Sequence, residues 1–292
     1  MYFKICFLEM KTGLVLEGGG LRALFTAGVI DVMMENGITF DAMVGVSAGA
    51  TFGCNFKSGQ VGRALRYNMR FRHDPRYMGI RSLVRTGDLV GAEFSYHTLP
   101  DELDVFDNTA FRSNPMEFYC VCTDVETAEP VYRKVDDMDY EGLEWIRASA
   151  SMPIVSKPVH LGGRAYLDGG IADSIPLKFM QGLGCERCVV VLTQPKGFYK
   201  TRTKLIPLFK LLMRRYPAII RGMERRHLMY NEQLRYLAQQ EDLGNILVVC
   251  PGDALAIGRT EQNARKMERA YRMGRQEAAD KLGRMMDFLS KK

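Results

Sequence analysis

The residues with the clearest capacity for chemistry lie in Gly45-Val46-Ser47-Ala48-Gly49. An apolar run from Asp41 to Val46 precedes the serine, and small residues suited to a helix follow it. This is the G-x-S-x-G (GXSXG) pattern of a nucleophile elbow. A serine raised on a tight strand-to-helix turn has a strained backbone. Side chains two positions to either side would collide, so both flanks are glycine. The N–H groups opening the following helix point at the reaction centre and favour a developing oxyanion. Glycine and serine are common, so the motif by itself equally describes a tight turn with no chemistry.

A serine nucleophile needs a base, most often a histidine oriented by an acid. The four histidines are His73, His97, His160 and His227. None stands in a glycine-framed loop just past a strand, where a hydrolase triad would put it, and they read as structural. Asp168 is better placed. It ends the strand Ala165-Tyr166-Leu167 and precedes Gly169-Gly170, so its carboxylate can reach the sheet edge with backbone close by. A carboxylate bonded directly to a serine hydroxyl can take its proton, provided its pKa is not strongly lowered. The competing reading is a turn aspartate that satisfies local N–H groups.

The elements that must carry these residues follow from pattern. Gly13–Glu17 reads as a buried strand, Gly18-Gly19-Gly20-Leu21-Arg22-Ala23 as a turn, and Leu24–Glu35 as an apolar helix stopped by Asn36-Gly37. Strand Phe40–Val46 then leads to Ser47 and a helix ending near Gly59. Strand, glycine turn, helix and strand in succession imply right-handed β-α-β packing and a parallel sheet. Residues 61–112 hold Arg63, Arg66, Arg70, Arg72, Arg76, Arg81 and Arg85 against Asp74 as the one acid up to Thr86, with aromatics between. They read as irregular helices and loops over the sheet's carboxyl edge, with the arginines either near substrate or on a solvated face. Glu117–Thr123 and Val131–Arg133 form a hairpin about Glu129-Pro130, Gly142–Ser151 a helix, and 158–161 with Arg164–Asp168 a hairpin across Gly162-Gly163. Cys188–Thr193 is apolar throughout, as in a central parallel strand. Residues 200–240 form one or two helices broken near Pro217. From Lys200 to Arg235 they carry ten lysines and arginines against Glu224 and Glu232, a basic amphipathic stretch suited to an anionic membrane surface or to a core-packed helix with a charged outer face. Strand Asn245–Cys250 and a polar helix Arg259–Leu289 close the chain.

Composition bounds the rest. The 292 residues are 47% hydrophobic and 25% charged, an ordinary globular balance. A net charge of +6 suits anionic partners but is too small to choose between lipid and nucleic acid. The seven cysteines are scattered, and Cys185-Glu186-Arg187-Cys188 lacks a second pair or a histidine pair. They read as buried reduced thiols of a cytoplasmic protein, with no metal and no cofactor expected. No apolar run approaches a membrane span. Met10 precedes a clean strand start and reads as the natural initiator, with residues 1–9 an upstream extension.

Three motifs now stand in order: Gly18-Gly19-Gly20-Leu21-Arg22, Gly45-Val46-Ser47-Ala48-Gly49 and Asp168-Gly169-Gly170. Together they resemble the patatin-like phospholipase family, and Ala148-Ser149-Ala150-Ser151-Met152-Pro153 is similar to that family's Ala-Ser-x-x-x-Pro segment. The resemblance covers residues 11–195. It implies a three-layer α/β/α fold with a mostly parallel central sheet and a Ser-Asp dyad, Ser47 the nucleophile and Asp168 the base. It further implies an oxyanion hole at Gly18, Gly19 and Gly20, with Arg22 helping to hold that loop. Gly45, Gly49, Gly169 and Gly170 are supporting positions. The activity implied is acyl-ester hydrolysis of lipids without a metal, the substrate being a lipid or other anionic acyl ester. Contact with an anionic membrane surface is a further expectation, and no nucleic-acid partner is expected. Residues 196–292 would be a helical extension with one strand, packed on the same core as a single domain. Two departures stand out: Ala23 where many members have glycine, and Asp173 where many have asparagine. Asp173 would add a carboxylate near Asp168 and raise the pKa of one of the two.

Two rival readings belong to other classes. Gly18-x-Gly20-x-x-Ala23 between strand and helix also fits a dinucleotide fingerprint, with Asp41 at about the right distance. A ribose-binding acid belongs at the carboxyl end of the second strand, however, and Asp41 stands at its start. The other rival is a hydrolase-shaped module that binds lipid or a partner without turnover, against which the intact Ser47 and Asp168 argue.

Overall fold

A computed structural model describes residues 10–290. The reading of residues 1–9 as an extension lies outside them. Apolar residues in β1 (Lys11–Leu16) run into the glycine turn, and one 3-10 turn at Gly20–Ala23 leads to α1 (Leu24–Glu35). That helix stops at Asn36-Gly37, where Gly37 takes φ +66°. β2 (Ala42–Val46) and α2 (Ala48–Lys57) repeat the unit.

Over the carboxyl edge lie α3 (Arg63–Phe71), α4 (Ile80–Thr86), a π-helical segment at Phe94–Leu103 and α5 (Asn108–Ser113). Their arginines are not one solvated face. Arg63 is buried and donates to Asn55 Oδ1 at 3.0 Å and to the Asp104 carbonyl. Arg66 forks onto the Asp104 carboxylate at 2.7 and 2.8 Å. The acid that pairs them stands beyond Thr86, so a local charge count misses it.

β3 (Glu117–Asp124) and β4 (Pro130–Lys134) form the hairpin. Its turn falls before Glu129-Pro130, because Asp124 Oδ1 accepts from the N–H groups of Glu126 and Thr127 at 2.9 and 3.2 Å, and Pro130 opens β4. α6 (Tyr140–Ala150) starts two residues earlier than its pattern suggests, since Asp139 caps it by accepting from Gly142 N–H at 2.9 Å. β5 (Val159–Leu161), β6 (Arg164–Asp168), α7 (Leu177–Gly182) and β7 (Cys185–Val191) follow. Then come α8 (Ile206–Leu212), α9 (Pro217–Asp242), β8 (Ile246–Val249) and α10 (Ala264–Ser290). α10 does not begin at Arg259. Asn263 Oδ1 accepts from Arg265 and Lys266 N–H at 3.0 and 3.3 Å, so the cap lies at 263 and residues 259–262 stay a loop.

The strand order is β5-β6-β3-β2-β1-β7-β8, with β4 on β3. β3, β2, β1, β7 and β8 run parallel. Alternate residues face opposite layers, the period-two rule at work. Leu14, Leu16, Met43, Val189 and Val191 meet Phe25 and Val29 of α1, Trp145 of α6 and Ala278 of α10. Val15, Val44, Val46 and Val190 meet Leu177 and Met180 of α7 and Tyr230 and Leu237 of α9. The result is a three-layer α/β/α molecule with a mostly parallel central sheet.

Register explains how Ser47 and Asp168 meet. β2 pairs with β3 up to Val46 opposite Val121, and β6 pairs with β3 from Asp168 opposite Cys122. β4 covers Tyr119–Thr123 of β3 and therefore overlaps both. A strand has two edges, so β2 and β6 share the other one, end to end. The last residue of β2 and Asp168 thus face consecutive residues of β3.

Candidate active site

Ser47 follows β2 with φ +55° and ψ −124°, a conformation that costs a non-glycine residue about 1–3 kcal/mol. The flanking glycines are obligatory by contact. A Cβ at Gly45 would lie 2.5 Å from the backbone of Ala50, and one at Gly49 would run into the Leu16 carbonyl. Ser149 holds the elbow from α6. Its hydroxyl accepts from Ser47 N–H at 3.0 Å and donates to the Val121 carbonyl at 2.6 Å. Two residues on, the Ser151 carbonyl accepts from Asp168 N–H at 2.8 Å. The Ala-Ser-x-x-x-Pro segment therefore fixes both Ser47 and Asp168, a role its sequence did not disclose.

The Ser47 and Asp168 side chains line the same cavity, brought together by the register of β2 and β6 on β3. Asp168 Oδ1 accepts from Gly170 N–H at 2.8 Å, and Thr123 donates to the Asp168 carbonyl at 2.8 Å. Burial raises the Asp168 carboxyl above its ordinary range. The neighbouring Ser47 hydroxyl, Arg226, the Gly170 N–H and Arg259 oppose that rise. Asp173 is not its charge partner. Asp173 accepts from Tyr132 at 2.7 Å, Gln233 at 2.5 Å and Ile175 N–H at 3.2 Å, and its own raised pKa comes first from burial. The expected coupling fails because those donors hold Asp173 against α9.

The glycine turn lies against the elbow. A Cβ at Gly18 would be 2.8 Å from Ser47 Cβ. Among the described residues the amides of Gly18 and Gly19 meet no protein acceptor, whereas Glu17 N–H donates to Val191 and Leu21 N–H to Arg259. Buried Glu17 braces the turn, accepting from Tyr230 at 2.6 Å and from Thr193 N–H at 2.7 Å. Thr193 also donates to the Gly18 carbonyl at 3.0 Å. Glu17, Thr193 and Tyr230 were legible in sequence as an acid ending an apolar strand, a threonine ending another, and no signal at all for the third. Arg22 lines the cavity beside the turn. Its Nε is buried without a partner, and no hydrogen bond joins its guanidinium to the glycines among the described residues.

Two cavities meet at Ser47. One, of about 170 Å³, is walled by Phe52, Tyr67, Tyr96, Leu99 and Ile146 under the helical cover. The other, of about 410 Å³, holds Asp168, Arg22, Lys200, Arg226, His227 and Arg259. The last four lie in the final third of the chain, and sequence reasoning gave none of them a place at the site. His97 pairs with Glu144 at 3.1 Å and stacks on Tyr140, a structural role. Asp41 accepts from Thr12 N–H and hydroxyl at 2.7 and 2.9 Å at the sheet's amino edge, opposite Ser47, which removes it as a ribose ligand. Cys185 and Cys188 are buried thiols that donate to backbone carbonyls, and burial pushes them up to about 11 and about 12. No group of metal-ligating side chains occurs among the described residues.

Comparison with known proteins adds lineage. YjjU of Escherichia coli K12, described as uncharacterized, is 34% identical over 196 residues, 65% of this chain and 54% of that protein. Lysophospholipase nte1 of Aspergillus oryzae is 29% identical over 183 residues, 60% of this chain and 11% of that protein. Lysophospholipase NTE1 of Saccharomyces cerevisiae is 28% identical over 186 residues, 61% and 10% respectively. The match therefore spans about half of the bacterial relative and about a tenth of the fungal ones. A crystal structure of VipD from Legionella pneumophila superposes with a TM-score of 0.46 at 15% identity, over 96% of this chain and 67% of that one. Residues 216–290 match a family described as a domain of unknown function, DUF6363. Residues 14–180 match the patatin-like phospholipase model, which carries the glycine turn, the serine elbow and the Asp-Gly-Gly corner, and the chain belongs to that family.

Proposed function

We propose that the chain is a carboxylic-ester hydrolase of lipids, phospholipase- or lysophospholipase-like, acting through a Ser47-Asp168 dyad and an oxyanion hole at Gly18–Gly20. The observation that carries this reading is the juxtaposition of Ser47 and Asp168 on one edge of β3, with Ser47 lining both cavities and Asp168 the larger. Ser47 Oγ attacks the ester carbonyl carbon as its proton passes to Asp168. The oxyanion forms against the free amides of Gly18 and Gly19. Collapse expels the alcohol, which takes the proton from Asp168 and leaves an acyl-serine. Water then gives its proton to Asp168, attacks the acyl carbon and releases the fatty acid as the proton returns to Ser47. A positioned base supplies about 10²–10⁴ in rate, and each oxyanion donor about 10²–10³. Burial supports the base role, since it keeps Asp168 more basic than an exposed carboxylate. The lysophospholipase names of the fungal relatives support a lipid ester.

Membrane contact is part of the proposal. Leu208, Leu211 and Leu212 of α8 are exposed beside Lys204, Lys210, Arg214 and Arg215, and Leu205 and Leu208 reach the rim of the larger cavity. Such a face suits an anionic bilayer surface. No helix among the described residues is long and apolar enough to cross a membrane. We also assign residues 196–292 to the same folding unit as residues 11–195. The pairing of β8 with β7 and of α10 with α1 supports this. A fluorophosphonate probe labels the folded wild type and leaves Ser47→Ala unlabelled, and p-nitrophenyl butyrate hydrolysis is lost in Ser47→Ala and Asp168→Asn. Absence of labelling in folded wild type would favour a binding module without turnover.

A further inference from the structure

The larger cavity holds more positive charge than its walls neutralise. Arg22, Lys200, Arg226 and Arg259 come from the glycine turn, the segment after β7, α9 and the loop before α10. Two carboxylates share the wall, and both are engaged: Glu17 with Tyr230 and Thr193, Asp168 with Gly170 N–H. Among the described residues none of the four cations has a carboxylate oxygen within 4.0 Å. Their sequence neighbours do: Lys196 pairs with Glu241, and Arg202 and Lys210 with Glu224. Lys200 Nζ lies over the Tyr230 ring at 4.0 Å, and Arg226 donates to the Gly170 carbonyl at the dyad's own corner. Arg22 Nε is buried and unpartnered. Arg22, Lys200 and Arg226 are half-buried with Arg259 exposed beside them, and like charges gathered this way are costly unless an anion completes them.

We propose that Arg22, Lys200, Arg226 and Arg259 form a subsite for the phosphate of an anionic acyl ester, with the ester carbonyl at Ser47 and the acyl chain in the apolar cavity. The assignment rests on the proposed hydrolase reading for its orientation. The anion itself is argued from the cluster. Phosphate fits best because a phosphomonoester carries nearly two charges and three acceptor oxygens, and guanidinium forks match its oxygens in pairs. Ser47 lies in both walls, so one bound molecule can place its charged end and its apolar end on opposite sides of the nucleophile.

Calorimetric titration of the whole chain with decyl phosphate, decanol and inorganic phosphate tests this without requiring turnover. Decyl phosphate binds on the order of tenfold or more tighter than decanol and than inorganic phosphate, since it fills both cavities. Lys200→Gln and Arg259→Gln each weaken decyl phosphate on the order of threefold to tenfold and leave decanol affinity in place, with wild-type circular dichroism confirming the fold. Equal affinity for decyl phosphate and decanol overturns the subsite. Inorganic phosphate binding as tightly as decyl phosphate overturns its assignment to a lipid head group. Fluorophosphonate labelling of Ser47 is scored separately, so loss of the hydrolase reading and loss of the subsite are distinct results.

Discussion

Gly45 sits in β2 two residues before Ser47. A methyl group there would lie 2.5 Å from both Cα and N of Ala50 and 2.7 Å from the Gly49 carbonyl carbon. Real Cβ contacts essentially never fall below 3.0 Å and seldom below 3.4 Å. The obstructing atoms are backbone of the first turn of α2, so no side chain can swing aside. In Gly45→Ala that turn retreats by roughly 0.5–0.9 Å, an overpacking that costs about 1–3 kcal/mol. Alanine returns about 0.5–1 kcal/mol through a less flexible unfolded chain. The net loss, at most about 2.5 kcal/mol, is small beside a global stability of about 5–15 kcal/mol, so the variant folds. Activity is more sensitive. Ser47 joins the fixed strand to the displaced turn, and its hydroxyl must meet Asp168 and the glycine amides together. A misplacement of about 1 Å costs about 10²-fold in rate. The assay is kcat/KM on p-nitrophenyl butyrate beside a urea unfolding curve. Gly53→Ala is the control in the same helix, where the methyl meets only the flexible end of Leu16 at 2.8 Å and Met43 at 3.5 Å. A Gly45→Ala enzyme with wild-type stability and kcat/KM within twofold would refute the claim that backbone contact sets the elbow.

Three further outcomes follow from the site. In the proposed mechanism Asp168 acts as base only when ionised, and burial raises its pKa, so kcat/KM falls as pH drops through a value above the ordinary carboxylate range. Arg226→Gln removes a cation that lowers that pKa and moves the acid limb to higher pH, whereas a limb that stays put or moves down contradicts the coupling. Ser47→Gly relaxes the positive φ that Ser47→Ala retains, so in urea unfolding the glycine variant is the more stable of the two by about 1–3 kcal/mol, less the cost of glycine entropy; equal or lower stability denies the strain. Burial first, and then Arg226, Arg259 and Arg22, lower Lys200 to about 7, with Glu17 opposing and His227, Tyr230 and Phe198 also near. Lys200 is cationic below that value, so affinity for an alkyl methyl phosphodiester of fixed charge weakens as pH rises through and above 7; Lys200→Gln flattens the dependence, and an unchanged profile in that variant assigns it elsewhere.

The hairpin turn and the two helix starts show where sequence pattern fell short. Asp124, Asp139 and Asn263 each accept neighbouring N–H groups, and these side-chain caps moved element boundaries by a few residues from where apolar periodicity placed them. For Arg259 the shift mattered, because a residue read as the start of a surface helix lies in the cavity wall and presses its carbonyl toward Gly20. The arginines of residues 63–85 were legible as charge but not as partners, since Asp104 reaches them only after the chain returns. Asp173 was legible as a carboxylate near Asp168 in sequence, yet its oxygens turn to Tyr132 and Gln233.

What the chain's own order determined is everything that neighbours within a few residues decide. The apolar strands, the triple-glycine turn, the G-x-S-x-G elbow and the Asp-Gly-Gly corner are local matters of backbone sterics and side-chain period. Tertiary structure decided the rest. β2 and β6 abut on one edge of β3 because β4 fills the other, which sets Ser47 against Asp168. Lys200, Arg226 and Arg259 converge on that pair because α9 and the loop before α10 pack over the glycine turn. Such meetings depend on register and helix placement between distant segments, and no short window of residues contains them.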